Sequence, residues 1–392
     1  MDAFSHSHLF EEIARKSSKY DLLQLMNDKH PPQAIGLETR HIFFDTQVYR
    51  GYGHDLSVKS LEVLAGYIAE DILILHTTDI TLREVSAQLD AMQLELVTKA
   101  NRSARLLDRW NRKLRDKRNW FTVPEKLDPP ASPTNAYRDF ERTLLYRWNV
   151  KCHKAADLSM GAVLDQYFLR EAPFDKDGSK EFPDAMALLA LEAWCQQARE
   201  KCYVVSKDQA VQRAADKSEH LIPIDSLEKL LSVLTSAQDH DIADKVGYAL
   251  RNAPLSDKLE EILSTNMIHF GGLYDGDRMD GEVGNIEFAA LNEISSVTVL
   301  RVDKDKVACL LGIKMDVTAE ISFSDETYAS WDNESGRFFG LETEYDDVDD
   351  TVPVRIFIEL TRDDGEFLLD DFQFITSDLT ISDYNSDGYP YK

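Results

Sequence analysis

Four acidic residues each stand where a parallel α/β fold would bring them to one edge of a sheet. Asp45 and Asp208 follow the short apolar, strand-like runs IFF and YVV. Glu84 and Asp184 stand near the beginnings of helical patterns. Because ligands of such folds collect at the carboxyl ends of the strands, we expect the four side chains to form one carboxylate cluster. Such a cluster is suited to binding a divalent metal ion.

The sequence around these acids alternates short apolar runs with helical patterns. Strands are predicted at His41–Phe44, Asp71–His76, Lys201–Val205 and Leu221–Ile224. Helices are predicted at Leu56–Ile68, from Thr81 to about Leu96, from Phe182 to about Ala198, and at Ser226–Leu234. This alternation predicts an α/β sandwich, in which helices cover both faces of a parallel sheet.

The length of the chain indicates more than one domain, since 392 residues exceed the roughly 100–200 typical of a single domain. Beyond about residue 270, alternating segments such as SVTVLRV and VPVRIFIEL predict a second, β-rich domain. We expect a helical segment at 1–34, an α/β domain at 35–235 with a basic helical insertion at about 97–170, a helical linker at 236–272 and an acidic β-rich domain at 273–392.

The composition is that of a globular protein, with 43% hydrophobic and 29% charged residues. No apolar run approaches the roughly 20 residues that span a bilayer, and the amino terminus lacks a basic segment followed by an apolar one. We therefore expect a cytoplasmic protein without a membrane partner. The four cysteines are too few and too scattered for a disulfide framework and are expected to be reduced thiols.

The net charge of -26 is distributed unevenly. Residues 99–154, the basic island, contain 15 Lys and Arg against 6 Asp and Glu, whereas residues 275–392 contain 29 acids against 9 bases. In the first half of the island, four arginines recur at helical spacing opposite an apolar stripe: Arg102, Arg105, Arg109 and Arg112. Either these arginines bind phosphates, with tryptophans and tyrosines interleaved, or they belong to a solvated helical hairpin.

Each acid also has a structural alternative. Asp184 suits an amino-terminal helix cap, Glu84 suits the positive end of a helix dipole, and Asp208 suits a turn. Asp45 has the least structural use, because an acid behind a buried strand is costly. Together, the acids predict phosphodiester hydrolysis, in which metal-bound carboxylates supply an activated water and neutralise charge on the phosphate. Thr46 is expected to hold Asp45 by a hydroxyl hydrogen bond.

The series IFFDT, TLREV, EFPDA and VVSKD resembles the PIN domain family of metal-dependent ribonucleases over about residues 35–235. It is similar, more narrowly, to larger bacterial PIN-like proteins with a helical insertion and a β-rich tail. Gln47 departs from the family, which often has Asn there. The resemblance implies an α/β/α nuclease domain with one or two Mg²⁺ or Mn²⁺ ions, with catalytic and metal-binding residues Asp45, Glu84, Asp184 and Asp208 and supporting residues Thr46 and Ser206. Glu181, one turn before Asp184, is either an extra ligand or a solvated helix-start acid.

The expected function is therefore that of an endoribonuclease, for which the resemblance suggests a role as a toxin or in defence against phage. A structure-specific DNA nuclease and a non-catalytic nucleic-acid-binding or partner-binding protein are the alternatives. RNA is the expected partner, while DNA, an inhibitory or sensing protein and an oligomer stay open. Three interpretations of the acidic tail stay open: it competes with RNA for the basic island, it only provides soluble turns, or its Asp runs bind calcium. Calcium binding has the least support, because the spacing of an EF-hand loop is lacking.

Overall fold

The computed structural model describes most of the chain, in eight segments. These are residues 36–113, 122–129, 131–175, 181–325, 330–332, 337–339, 341–363 and 365–383. The helical segment expected at 1–34 and the part of the basic island at 114–121 lie outside the described residues. Within them, the chain forms a parallel α/β domain followed by an antiparallel β-rich region, as the sequence predicted.

Five short strands form the parallel sheet in the order β3-β2-β1-β4-β5. They are β1 (His41–Phe44), β2 (Ile74–Thr78), β3 (Lys151–His153), β4 (Cys202–Val205) and β5 (Leu221–Ile224). The central strand β1 pairs Phe43 with His76 of β2 and Phe44 with Val205 of β4. The carboxyl ends of β1 and β4 therefore lie side by side, which sets the position of the residues that follow them.

Ten α-helices connect and cover the strands within the described residues. They are α1 (Thr46–Gly51), α2 (Lys59–Ala69), α3 (Asp79–Lys113), α4 (Asn135–Arg142), α5 (Met160–Leu169), α6 (Phe182–Ala198), α7 (Gln209–Asp216), α8 (Leu227–Gln238), α9 (Ile242–Leu250) and α10 (Leu255–Thr265). A π-helical turn at Thr143–Arg147 follows α4, and 3-10 turns lie at Ala155–Asp157 and Met267–His269.

Alternation along each strand divides the core between the two faces of the sheet, because successive side chains point to opposite faces. Ile42 and Phe44 are buried in a core that includes residues of α2 and α8. Phe43, between them, is buried with Leu188 and Leu191 of α6 on the other face. The two apolar faces explain why the strands are continuous hydrophobic runs rather than alternating ones.

The strand predicted at Asp71–His76 lies at Ile74–Thr78 instead. Two further elements differ from the sequence prediction. The helix that begins at Asp79 continues without a break to Lys113, because no proline or glycine interrupts it. It therefore joins the expected helix at Thr81 to the first half of the basic island. The strand β3 was not predicted, because its sequence KCH has no apolar run, yet it pairs with β2 from within the range expected as an insertion.

The β-rich region is built on four antiparallel strands in the order β12-β11-β8-β7. Its strands are β6 (Gly271–Gly276), β7 (Glu282–Val302), β8 (Lys306–Asp325), β9 (Ser330–Asp332), β10 (Arg337–Phe339), β11 (Glu342–Asp363), β12 (Glu366–Phe374) and β13 (Asp378–Asp383). One face of the long strands forms a second core with α9, α10, β6 and β13.

The antiparallel sheet packs directly on the parallel domain. Leu300, Leu310 and Phe357 of the antiparallel sheet are buried in the same core as residues of α2 and α8. The hydroxyl of Tyr67 donates to the Leu300 carbonyl over 3.2 Å, and the hydroxyl of Thr235 donates to the Val299 carbonyl over 3.0 Å. The two regions therefore share buried apolar surface and are joined by hydrogen bonds from side-chain hydroxyls to backbone carbonyls.

The four cysteines are free thiols, as predicted, and three of them are buried. Among the described residues, no helix combines the length and the apolar character that crossing a membrane requires.

Candidate active site

The four acids predicted from the sequence lie on segments at the carboxyl edge of the parallel sheet. Asp45 is the residue directly after β1, and Asp208 comes three residues after β4. Glu84 is in the second turn of α3, which begins directly after β2, and Asp184 is in the first turn of α6. Their mutual electrostatic effects, described below, show that these side chains act on one another.

Asp45 is nearly fully buried, with 6% of its surface exposed. It precedes α1 but makes no side-chain cap to that helix. Its carboxylate instead accepts a 2.6 Å hydrogen bond from the hydroxyl of Ser206, which follows β4. Burial raises the pKa of Asp45, although the bond from Ser206 opposes this, and the charges of Asp208 and Glu84 raise it further. Ser206 therefore orients a carboxylate that does not cap its own helix.

Thr46 supports a different acid from the one expected. Its hydroxyl donates a 2.6 Å hydrogen bond to Glu84, rather than to Asp45. The prediction that this hydroxyl holds Asp45 was wrong, because Thr46 is the first residue of α1 and its hydroxyl reaches the carboxylate of Glu84 on α3. The hydroxyls of Thr46 and Ser206 thus each bind one carboxylate.

Asp184 shows the strongest effect of crowding among the acids. Burial raises its pKa to about 8, with the charges of Asp45, Glu84 and Glu181 contributing in that order, followed by a hydrogen bond with Glu181. Asp184 is not the helix cap, since that position is occupied by Glu181, so the capping alternative does not explain it. Burial and the neighbouring negative charges thus both disfavour the ionised form of this carboxyl group.

Asp208 combines a structural contact with its place at the sheet edge. Its carboxylate accepts hydrogen bonds from the backbone of Ala210 over 2.6 Å and from the side chain of Gln47 over 3.0 Å. The bond to Ala210 caps α7, so Asp208 also stabilises the local backbone, which was its structural alternative. Gln47, the position that departs from the family pattern, serves here to link α1 to Asp208.

These acids provide the oxygen ligands that Mg²⁺ and Mn²⁺ prefer. Among the described residues, however, no group of three or more His, Cys, Asp or Glu side chains is arranged so that it could hold a metal ion. Burial and the neighbouring acids favour a proton on Asp184, as expected of a site whose carboxylates need a cation to be ionised together. The ligand type and the negative charge of the site therefore suit such an ion, which Asp45, Glu84 and Asp184 would hold. Their present spacing does not yet form the ligand set.

The predicted arginines lie on α3, far along the helix from Glu84. Arg102, Arg105, Arg109 and Arg112 are all exposed. At 1.5 Å per residue, Arg102 lies about 27 Å along the helix axis from Glu84. Arg112 pairs with Asp108, and Arg105 bonds the Asn101 carbonyl over 3.3 Å, so part of the set has local partners. The structure does not bring the arginines to the acids.

A chain of three histidines, two of them buried and the third half-buried, was not anticipated from the sequence. His41, His76 and His153 lie on the adjacent strands β1, β2 and β3, and Trp194 of α6 packs against all three. Nδ1 of His41 lies 2.9 Å from Nε2 of His76, and Nδ1 of His76 lies 2.7 Å from Nε2 of His153. Only the strand register reveals this chain, because the residues are 35 and 77 positions apart.

The fold and the acidic edge together define an α/β/α domain that carries a carboxylate site at the ends of its parallel strands. Residues 42–210 match the family model of the PIN domain. The match includes all four acids. PIN domains are generally nucleases, typically dependent on a metal ion. No curated protein matches the chain.

Proposed function

We propose that the protein is a metal-dependent endoribonuclease that hydrolyses RNA phosphodiester bonds. The observation that carries the proposal is the placement of Asp45, Glu84 and Asp184 at the carboxyl edge of one sheet. There burial, followed by the charges of Asp45 and Glu84, raises the pKa of Asp184 to about 8. Three interacting carboxylates at a sheet edge stabilise no fold, because like charges repel and buried charges are costly. They are useful to a site that binds a cation.

Asp45, Glu84 and Asp184 would hold one or two Mg²⁺ or Mn²⁺ ions, with Asp208 at the margin. When bound, such an ion supplies an activated water and offsets the developing charge on the phosphate. Ser206 and Thr46 each fix the orientation of one carboxylate through a 2.6 Å hydrogen bond. Because these carboxylates are already oriented, they do not have to be ordered when the substrate binds, which lowers the cost of reaching the transition state.

The experiment is cleavage of a labelled single-stranded RNA by purified protein in Mn²⁺. Wild-type protein should cut internally, whereas EDTA should abolish cleavage until metal is restored. Asp45→Asn should fold and be inactive, because a neutral amide cannot balance the charge of the metal. Asp216→Asn is the matched control, since Asp216 is exposed at the end of α7, and it should retain activity. Equal cleavage in EDTA would overturn the metal mechanism.

DNA substrates separate the proposal from its nearest alternative. Flapped and single-stranded DNA should be poorer substrates than RNA, because the site has four acids rather than the longer set expected of a flap nuclease. Preferential cleavage of flapped DNA would assign the site to a structure-specific DNA nuclease. Binding of nucleic acid without cleavage under any metal would instead support a non-catalytic role.

We further propose that the activity serves as a toxin or as a defence against phage. This role is supported by the resemblance to bacterial PIN-like proteins. Induced expression of the wild-type chain in a bacterial host should arrest growth, whereas Asp45→Asn at the same protein level should not. Normal growth with active enzyme present would remove the toxin role and leave the nuclease proposal intact.

A further inference from the structure

A cleft of about 630 Å³ opens beside Asp208, between the parallel domain and the antiparallel sheet. Lys207 and Gln209, which flank Asp208 in sequence, line one wall, and the opposite wall includes Ser296, Thr298 and Arg355 of the antiparallel sheet. The cleft thus continues from the carboxyl edge of β4 onto a region that lies outside the PIN domain match. Its volume is in the range of small-ligand clefts and suits a short single strand better than a duplex.

Fixed contacts hold the two walls of the cleft together. Arg355 of β11 pairs with Glu228 of α8 over 2.8 Å. The hydroxyl of Tyr52 donates to the same Glu228 carboxylate over 3.0 Å. Burial opposes ionisation of Glu228, but a bond from its own backbone, the charge of Arg355 and the bonds from Arg355 and Tyr52 leave its pKa lowered overall. The cleft is therefore a built feature of the interface, since its two sides are joined by a charged network.

The charges that line the cleft favour an anion at its mouth. Asp225 pairs with Lys229 over 3.2 Å, and Glu228 pairs with Arg355, so both acids of the lining are balanced. Lys207 is exposed and has no hydrogen-bond or ion-pair partner among the described residues. It directly precedes Asp208 of the candidate active site in the chain. An unpaired ammonium group here suits the phosphate next to a scissile bond.

The acidic runs of the antiparallel sheet lie away from this cleft. On β11, Asp349 is six residues from Arg355, which corresponds to about 20 Å along an extended strand. Asp347 lies further along the same strand, and both acids are on the solvent-exposed half of the sheet. The part of the sheet that faces the cleft contributes serine, threonine and arginine side chains instead. Despite its overall acidity, the region presents hydrogen-bond donors to the site.

We propose that this cleft is the groove that receives the single-stranded RNA segment leading away from the cleaved bond. Lys207 contacts a backbone phosphate, and the antiparallel sheet forms the opposite wall of the groove. The inference rests on the proposed nuclease function and adds to it a substrate-positioning role for the β-rich region. The site therefore extends across both regions of the chain, rather than being confined to the PIN domain.

Binding of a labelled single-stranded RNA to catalytically inactive Asp45→Asn protein tests the groove separately from catalysis. In that background, Lys207→Gln should weaken binding roughly 5- to 10-fold and reduce its salt dependence, because one phosphate contact is lost. Lys304→Gln removes the same charge from the exposed turn between β7 and β8, outside the cleft, and should bind like its parent. Equal binding by both lysine variants would overturn the role of Lys207.

Introducing a negative or a positive charge at Ser296 tests the wall that the antiparallel sheet contributes to the cleft. Ser296→Asp should weaken RNA binding and Ser296→Lys should strengthen it, each by roughly 3- to 10-fold, because both change one charge facing the phosphates. The same two changes at Thr343, exposed at the far end of β11, should have little effect. If Ser296 and Thr343 variants behave alike, or if a duplex binds more tightly than the single strand, the groove is refuted. Wild-type cleavage measured in parallel decides the nuclease proposal independently.

Discussion

The hydroxyl of Ser206 donates a 2.6 Å hydrogen bond to the carboxylate of Asp45, joining the ends of the adjacent strands β4 and β1. Both residues are buried, with Ser206 fully so. The bond fixes the acid in a direction that its own backbone does not, since Asp45 caps no helix. The same hydroxyl oxygen accepts a 3.0 Å bond from the backbone N–H of Asp208. Ser206 is therefore a positioning residue for Asp45 that also holds the start of the Asp208 segment.

We expect Ser206→Ala to lower kcat for RNA cleavage roughly 10- to 100-fold, the range found when groups that orient metal ligands are removed. The fold should persist, because the change removes one oxygen. The concentration of Mn²⁺ needed for half-maximal activity should rise as well, which a loss of stability alone would not cause.

Ser218→Ala provides a matched control for Ser206. Ser218 also donates from its hydroxyl to a carboxylate, that of Glu192 over 2.7 Å, but lies at the opposite end of the strands, before β5. Its variant should keep both kcat and the Mn²⁺ requirement of the wild type. A similar loss in both variants would show that Ser206 acts through stability rather than through Asp45.

Asp184→Asn should stabilise the metal-free protein. In the folded state the pKa of Asp184 is raised from 3.8 to about 8, so the folded protein binds a proton that the unfolded chain has released. Wild-type stability consequently falls as pH rises between these values, by up to about 1.4 kcal/mol per pH unit. The neutral amide introduced by Asp184→Asn does not titrate, so this site causes no loss of stability in the variant as pH rises. Thermal unfolding in EDTA from pH 5 to 9 should show the variant melting higher, with a gap that widens up to about pH 8.

Added Mn²⁺ should reverse this order of stability. The ion replaces the proton on Asp184 and favours the wild-type carboxylate, so the wild type should gain more in melting temperature than Asp184→Asn. A wild-type protein that is the more stable of the two in EDTA at pH 8 would contradict the crowding described for the site. Equal gains with Mn²⁺ would show that Asp184 is not a ligand.

Replacing Arg102, Arg105, Arg109 and Arg112 together with Gln should weaken binding of long RNA and leave cleavage of short RNA unchanged. The arginines begin about 27 Å along α3 from Glu84, so only a long substrate can touch both places. Each lost phosphate contact should reduce the slope of log affinity against log salt by roughly 0.7 for a single strand. Since Arg112 already pairs with Asp108, we expect a total change smaller than four such contacts.

Binding isotherms at several salt concentrations measure these slopes. Lys258→Gln on α10 serves as a control for loss of an exposed, locally paired cation. An unchanged salt slope in the quadruple variant would identify the arginine face as a solvated helix surface.

Much of the parallel domain could be predicted because its strands are short apolar runs separated by helical patterns. The strands at His41–Phe44 and Leu221–Ile224 were predicted with the bounds that the structure shows. The strand β3 could not be found in this way, since Lys151 and His153 are polar and the strand lies at the sheet edge. Edge strands carry weaker apolar signals, because a neighbour covers only one side.

The placement of the acids at the carboxyl edge of the sheet could be predicted from the sequence, but their hydrogen-bond partners could not. A hydroxyl next to Asp45 in sequence suggested a local bond, yet Thr46 reaches Glu84, 38 residues away. The partner of Asp45 is Ser206, 161 residues away. Contacts of this kind depend on the order of the strands, which a single sequence does not determine. The groove beside Asp208 could not be foreseen for the same reason, because one wall comes from the antiparallel sheet.

The histidine chain should make the protein sensitive to mild acid. Burial, followed by the neighbouring His41, His153 and Lys151, lowers the pKa of His76 to about 2, and burial lowers that of His41 to about 4. Below the ordinary histidine pKa of 6.5, the unfolded chain binds protons that the folded chain does not. Stability should therefore fall as pH drops below 6.5, by up to about 1.4 kcal/mol per pH unit for each histidine.

His76→Gln removes the central member of the chain and tests this origin of the acid sensitivity. The variant should be less stable than the wild type at pH 7, because the bonds of 2.9 and 2.7 Å to the neighbouring rings are lost. Its stability should nevertheless depend less steeply on pH between 6.5 and 4.5, since one buried titrating group is gone. Urea unfolding at each pH measures both effects. His240→Gln, at an exposed position, should retain the wild-type slope. A slope in His76→Gln as steep as that of the wild type would assign the acid sensitivity to other groups.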